Sequence, residues 1–281
     1  MNEDERGERV VKLVISDMDG TLIGRDEILS DKAINIAERL RSQGIMFTIA
    51  TGRVECMADD YVKKLGIEIP YIACNGVTIV RGKEVLRRNK VPFKGLRSIV
   101  EKADSMGMSL VYSIDGIESV YKVTPWVESQ REKFDRYHRV HLPDEKEWER
   151  LYIDKLMVMD DVREGAIAIL EEMCKDLPED YGFTRYTNKS VEIVNRESTK
   201  ASALQELVKI LGIHMNEVLA VGDHQNDIEM IKEAGIGAAV FNATDGLKKE
   251  ADYIASKPCV DGVSEIVEKF CGLHVGQKNV S

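Results

Sequence analysis

Two carboxylates, Asp17 and Asp19, stand two residues apart in Asp17-Met18-Asp19-Gly20-Thr21, directly after an apolar run. Both can reach one point in front of a strand end, where one could attack as a nucleophile and the other move protons. Asp-Gly is also a common turn dipeptide, so the pentapeptide alone divides between a turn and a site. Gly222-Asp223-His224-Gln225-Asn226-Asp227 places two more carboxylates four apart at a helix start. Like charges at that spacing cost a few tenths of a kcal/mol unless something compensates. Hard oxygen ligands without His or Cys partners suit Mg²⁺.

Two stretches supply candidates for holding an anion. Thr51-Gly52-Arg53 offers a hydroxyl and backbone N–H groups at a helix start, although an ordinary N-cap threonine reads the same way. Lys200 falls in the first turn of a helix behind Ser198 or Thr199, where a cation opposes the helix dipole. A solvated surface lysine is the ordinary reading, and a local positive charge for phosphate the functional one. Asn75-Gly76 is a turn signal first and a site second.

All of these except Lys200 directly follow strands. Val10–Ser16, Ile45–Ala50, Tyr71–Cys74 and Val218–Val221 are short β-branched or apolar runs, interleaved with helical periodicity at Ala33, Ile36, Ala37 and Leu40 and over Glu55–Leu65. Continuous apolar strands alternating with helices predict a parallel sheet covered on both faces, and such sheets bind ligands at the strands' carboxyl ends. The alternation breaks after about Val85. A helix over Phe93–Ser105, a hairpin turning at Asp115-Gly116, a helix over Trp126–Tyr137, a strand at Lys155–Met159, a helix over Arg163–Cys174 and paired strands at Tyr181–Tyr186 and Ser190–Val194 read as a separate α+β insertion. From Lys200 the alternation resumes and closes on a helix over Asp261–Phe270. Residues 1–9 and 273–281 read as polar tails.

Composition narrows the partners. The 281 residues carry a formal charge of −10, from 39 basic and 49 acidic residues, which disfavours nucleic acid. No apolar run approaches the roughly 20 residues a membrane helix needs. The N-terminus leads into no signal-peptide core, and Cys56, Cys74, Cys174, Cys259 and Cys271 are scattered and odd in number, so reduced thiols and a cytoplasmic protein are expected.

The four ordered elements (Asp17 to Thr21, Thr51 to Arg53, Lys200, and Gly222-Asp223 through Asn226-Asp227) resemble the haloacid dehalogenase-like phosphohydrolases. Asn75-Gly76, Phe241-Asn242-Ala243 and Asp261-Gly262-Val263 look like the Cof-type subgroup. The resemblance implies a doubly wound, mainly parallel, Rossmann-like α/β core at 1–82 and 188–281, with a type IIB cap at 83–187 that selects the substrate. It implies a phosphatase acting on small phosphorylated metabolites, sugar phosphates first, through a phosphoaspartate on Asp17, with Asp19 as acid and base. Mg²⁺ would lie between Asp17, the Asp19 backbone carbonyl and Asp223, with Asp227 in support. Thr51, Gly52 and Lys200 would bind the phosphoryl oxygens, and Asn226 would orient the site. His224 departs from the small or amide residue usual there. A phosphomannomutase-like mutase, or a non-catalytic phosphosugar-binding regulator, are the competing readings. Within the insertion, Trp126 and Trp148 read as cap core, Arg131, Arg136 and Arg139 as solvated faces, and His138 and His141 lack a third metal ligand.

Overall fold

The computed structural model describes residues 10–160, 163, 165–186 and 188–273; of the expected tails at 1–9 and 273–281, all but Leu273, which is buried, lie outside that set. The chain starts with β1 (Leu13–Ser16), α1 (Asp31–Ser42), β2 (Met46–Ile49), α2 (Glu55–Lys64), β3 (Tyr71–Ala73), β4 (Thr78–Arg81) and β5 (Glu84–Arg88). It continues through β6 (Val91–Pro92), α3 (Arg97–Ser105), β7 (Ser109–Ile114), β8 (Ile117–Val120), α4 (Pro125–Phe134), α5 (Glu145–Arg150), β9 (Tyr152–Ile153), β10 (Lys155–Met159), α6 (Ala166–Cys174), β11 (Tyr181–Tyr186) and β12 (Ser190–Asn195). It ends with α7 (Lys200–Leu211), β13 (Val218–Gly222), α8 (Ile228–Glu233), β14 (Ile236–Ala239), α9 (Asp245–Glu250), β15 (Tyr253–Ile254) and α10 (Cys259–Cys271).

Two compact units emerge: residues 1–53, 57–86 and 199–281, and residues 54–56 with 87–198. The first is built on a parallel sheet of order β15-β14-β13-β1-β2. All four residues of β1 are buried, so both faces of this central strand are covered, as its unbroken apolar run requires. Ser30 is the residue that caps α1, accepting a hydrogen bond from the Ala33 amide. In-register pairing of Ser16 with Val221 and with Ile49 brings three strand ends to one sheet edge. The ladder continues one step beyond the strands: the Asp17 amide donates to Val221 O at 2.8 Å and the Ala50 amide to Ser16 O at 2.9 Å.

The second unit has an antiparallel sheet, β11-β12-β10-β7-β8. Leu110, Tyr112, Leu156, Val158, Val191 and Ile193 pack from it against Ile99, Val100, Ile167 and Leu170 of α3 and α6. The Asp115-Gly116 turn has both residues at positive φ, 51° and 77°, as a two-residue hairpin demands. This unit runs on to Ser198, past the expected boundary at 187, because β12 pairs with β10 and β11. Trp148 is 5% exposed and stacks on Phe93 at 4.4 Å between centroids, which makes it core. His138 and His141 stand on no helix: His138 Nε2 meets Asp135 at 2.8 Å, while His141 Nδ1 meets the Tyr112 hydroxyl at 2.6 Å. The short helix α5 went unpredicted, although Asp144 and Glu147 form a capping box visible in the sequence. None of the five cysteines is in a disulfide, and among the described residues no helix is long and apolar enough to cross a membrane.

Candidate active site

Every site residue expected from the sequence lies in the first unit. Asp17 leaves the end of β1 with 5% of its surface exposed. Lys200, in the first turn of α7, is no surface lysine: 1% exposed, it donates to Asp17 Oδ1 at 2.5 Å and to Asp227 Oδ1 at 2.7 Å. Thr199 caps this helix, accepting from the Ser202 amide. Gly76 (φ 95°) fixes where α7 begins, since a Cβ there would overlap the Thr199 carbonyl.

Asp227 is fully buried and fully engaged. Its Oδ1 takes Lys200, and its Oδ2 accepts the Asp223 and His224 amides at 3.1 and 3.0 Å. The four-residue spacing that looked like repulsion is therefore a loop clamp with a lysine on its far oxygen. Asp223 receives the Thr21 hydroxyl at 3.2 Å. Gly20, at φ 90°, passes so close to Asp223 Oδ2 that any Cβ would collide with it, which accounts for glycine after Asp19.

Asp17, Asp223 and Asp227 each offer a carboxylate oxygen, all within 4.8 Å of one another, and this is the metal-competent acidic group among the described residues. Three carboxylates against one ammonium leave two negative charges in a buried space. Burial pushes the Asp17 carboxyl well above the usual range; Lys200 pulls it down, while Asp227 and Asp223 push it further up. Asp223 is pushed up to about 6 by burial and then by Asp227. Lys200 moves the other way from what burial alone would do, because Asp17 and Asp227 hold its proton. One further atom tests the fit of a cation: Asp17 Oδ2 is buried without a hydrogen-bond partner. An orphaned carboxylate oxygen in a surplus of negative charge suits a hard divalent ion. Asp17 and Asp223 have oxygens to offer it, and the engaged Asp227 supports them.

Asp19 is set apart. Its side chain is 48% exposed and points not to Lys200 but to Arg53, whose Nε and Nη2 donate to its two oxygens at 2.9 and 2.6 Å. Thr51 is buried, and its hydroxyl accepts the Arg53 amide at 3.1 Å. Gly52 lies beside Asn75, where a Cβ would stand 3.2 Å from the Asn75 Oδ1. Asn226 donates to that same Oδ1 at 2.9 Å, so it steadies the Thr51 loop through Asn75. The Asn242 amide donates to Gly20 O at 2.8 Å and its oxygen accepts the Cys259 amide, tying the Asp19-Gly20 turn to the start of α10. Sequence reasoning passed over the partnership of Arg53 with Asp19, and the spacing carries no signal for it.

Comparison with known proteins sets this geometry among relatives. The family model described as haloacid dehalogenase-like hydrolase matches residues 14–267. The chain is 27% identical over 260 residues to the 5-amino-6-(5-phospho-D-ribitylamino)uracil phosphatase YcsE of Bacillus subtilis, covering 92% of this chain and 96% of that protein. It is 29% identical over 261 residues to a phosphoglycolate phosphatase of Methanopyrus kandleri, covering 93% and 97%. Among solved structures, a haloacid dehalogenase-like hydrolase from Bacteroides thetaiotaomicron matches with a TM-score of 0.80 at 27% identity, over 92% of this chain and 99% of that one.

Proposed function

The chain belongs to the haloacid dehalogenase-like hydrolases and is a phosphoric monoester hydrolase; on that premise we propose that it works with Mg²⁺ and through an aspartyl-phosphate on Asp17. The observation that carries this reading is Asp17 itself: one carboxylate oxygen held by Lys200, the other buried and unpartnered, at the point where three strand ends converge. Attack by the Asp17 carboxylate on phosphorus forms the new P–O bond as the ester P–O bond breaks. Asp19 gives its proton to the departing ester oxygen. A water then attacks the same phosphorus, Asp19 takes its proton, and the bond to Asp17 breaks to release phosphate.

Lys200 keeps a positive charge beside Asp17 throughout, and Thr51 with the Gly52 backbone presents donors to the phosphoryl oxygens; Asn226 acts by orienting this loop. Charge stabilisation of this kind supplies most of the catalysis in phosphoryl transfer. Asp17 and Asp223, with the Asp19 backbone carbonyl, would hold the Mg²⁺, which when bound neutralises carboxylate and phosphoryl charge together. In this reading the first unit is the catalytic core and the second the substrate-selecting cap. Small sugar phosphates are the substrate class we favour, in a cytoplasmic setting, with no part for nucleic acid.

The test is phosphate release from a panel of phosphorylated metabolites, with Mg²⁺, with Ca²⁺ and after chelation. Mg²⁺ should support turnover and Ca²⁺ should bind yet support little, because its looser coordination spoils the in-line geometry. Full activity after exhaustive chelation contradicts the metal assignment, and phosphate retained on the sugar contradicts hydrolysis.

A further inference from the structure

Arg53 closes the turn after β2, and it is 7% exposed although it carries a full charge. Both edges of its guanidinium are used. Nε and Nη2 form a two-point fork on the Asp19 carboxylate, at 2.9 and 2.6 Å. Nη2 also donates to Glu27 Oε2 at 3.0 Å, and Nη1 donates to the Tyr61 hydroxyl at 3.2 Å. That hydroxyl in turn donates to the Glu27 carbonyl at 2.9 Å, and the Tyr61 ring lies under the guanidinium at 4.9 Å. Glu27 meets these demands from a backbone at φ 57°, a conformation that L-residues seldom adopt. A planar fork fixes both the direction and the plane of a carboxylate, which a lysine or a single donor cannot do.

We infer that Arg53, locked by Glu27 and Tyr61, is the positioning residue that aims the half-exposed Asp19 carboxylate. This rests on the reading of Asp19 as the proton-transfer group. A carboxylate with half its surface in water is free to swing, and a misplacement of about 1 Å can cost about 10²-fold in rate. The fork removes that freedom without adding a group that touches the substrate.

The experiment is a kinetic cycle of Arg53→Met and Asp19→Asn, singly and together, on a sugar phosphate and on p-nitrophenyl phosphate with Mg²⁺. Arg53→Met should lower kcat by up to about 10²-fold on the sugar phosphate with little change in KM. The loss should shrink on p-nitrophenyl phosphate, whose leaving group needs little protonation. In the Asp19→Asn background it should almost vanish, Arg53→Lys should restore only part of the rate, and Tyr61→Phe should show a smaller loss with the same leaving-group dependence. If Asp19→Asn costs activity but Arg53→Met adds its full loss on top, or if the loss falls on KM alone, Arg53 does not act through Asp19 and the inference falls. If Asp19→Asn costs nothing, the acid–base reading of Asp19 falls first and takes the inference with it. Far-ultraviolet circular dichroism and melting curves on the same variants separate these outcomes from unfolding: a rate loss that follows lost folded protein, equal on both substrates, also counts against positioning.

Discussion

Asp17 and Asp19 share one loop, yet their surroundings are opposite. Asp17 is 5% exposed, faces a buried lysine and two further carboxylates, and is pushed towards protonation by its burial. The Asp19 side chain is 48% exposed and is gripped from one side by an arginine that is itself buried. A group that must form a covalent bond gains from a dry, fixed site with a cation alongside. A group that must exchange protons with water gains from access to water, with its direction set from behind. The contrast arises just past the end of β1: Asp17 still continues the sheet ladder through its amide to Val221 O, whereas the chain then turns at Met18 and carries Asp19 into a bridge with Ile23.

The largest effect should come from breaking the buried side. Asp17→Asn should lower turnover by more than about 10⁴-fold on every substrate, the scale expected when a nucleophile is lost. Phosphate release below background on both a sugar phosphate and p-nitrophenyl phosphate checks it. Asp19→Asn should cost about 10² to 10⁴ on the sugar phosphate and less on p-nitrophenyl phosphate. Equal losses on both substrates would erase the distinction between the two aspartates.

Lys200→Met sharpens the comparison through stability instead of rate. Removing the cation strands Asp17 and Asp227 as buried neighbours of like charge, and breaking a buried pair costs about 3–5 kcal/mol. Urea melts should show that loss without a change in m-value, and Arg53→Met should lose less, since its main partner faces water. The smallest effect is one of pH on the metal-free protein. Asp223 has a folded value of about 6 against an ordinary 3.8, so the folded state holds the proton more tightly. Stability from that group is complete below pH 4 and is lost as pH rises through 6, by a few kcal/mol at most. A divalent cation should restore it on the alkaline side. Melting temperatures across pH 4 to 7, with and without Mg²⁺, read both arms, and a melt that rises with pH without metal runs against the sign.

Much of this was legible in the sequence, because strands, caps and turns are local. The apolar runs at Leu13–Ser16 and Val218–Gly222 give the parallel sheet, and the Asp-Gly turn gives the β7–β8 hairpin. The loops that follow the strands bring Asp17, Thr51 and Asp223 to one edge as a consequence of register. The partnerships across those loops were not legible. For Lys200 the sequence leaves a solvated lysine and a phosphate-binding one side by side; its buried contact with Asp17, 183 residues away, shows only once α7 is seen seated against the Asn75-Gly76 turn. Arg53, Glu27 and Tyr61 meet only because the loop after β1 doubles back with Glu27 at positive φ, and no periodicity encodes that. The strand pair Tyr181–Tyr186 and Ser190–Val194 reads within the insertion, and the boundary at 187 cut between its two strands, whereas β12 pairs with β11 and β10 and the second unit runs to Ser198.

The central claim is that Asp17 carries the phosphoryl group. Borohydride reduces an acyl phosphate to an alcohol, so an enzyme quenched with it during turnover with Mg²⁺ and substrate records which carboxylate was phosphorylated. Peptide mass spectrometry should find homoserine at position 17, absent without substrate and absent in Asp17→Asn. Homoserine at position 19, or an unmodified Asp17 in an enzyme that is turning over, contradicts the account.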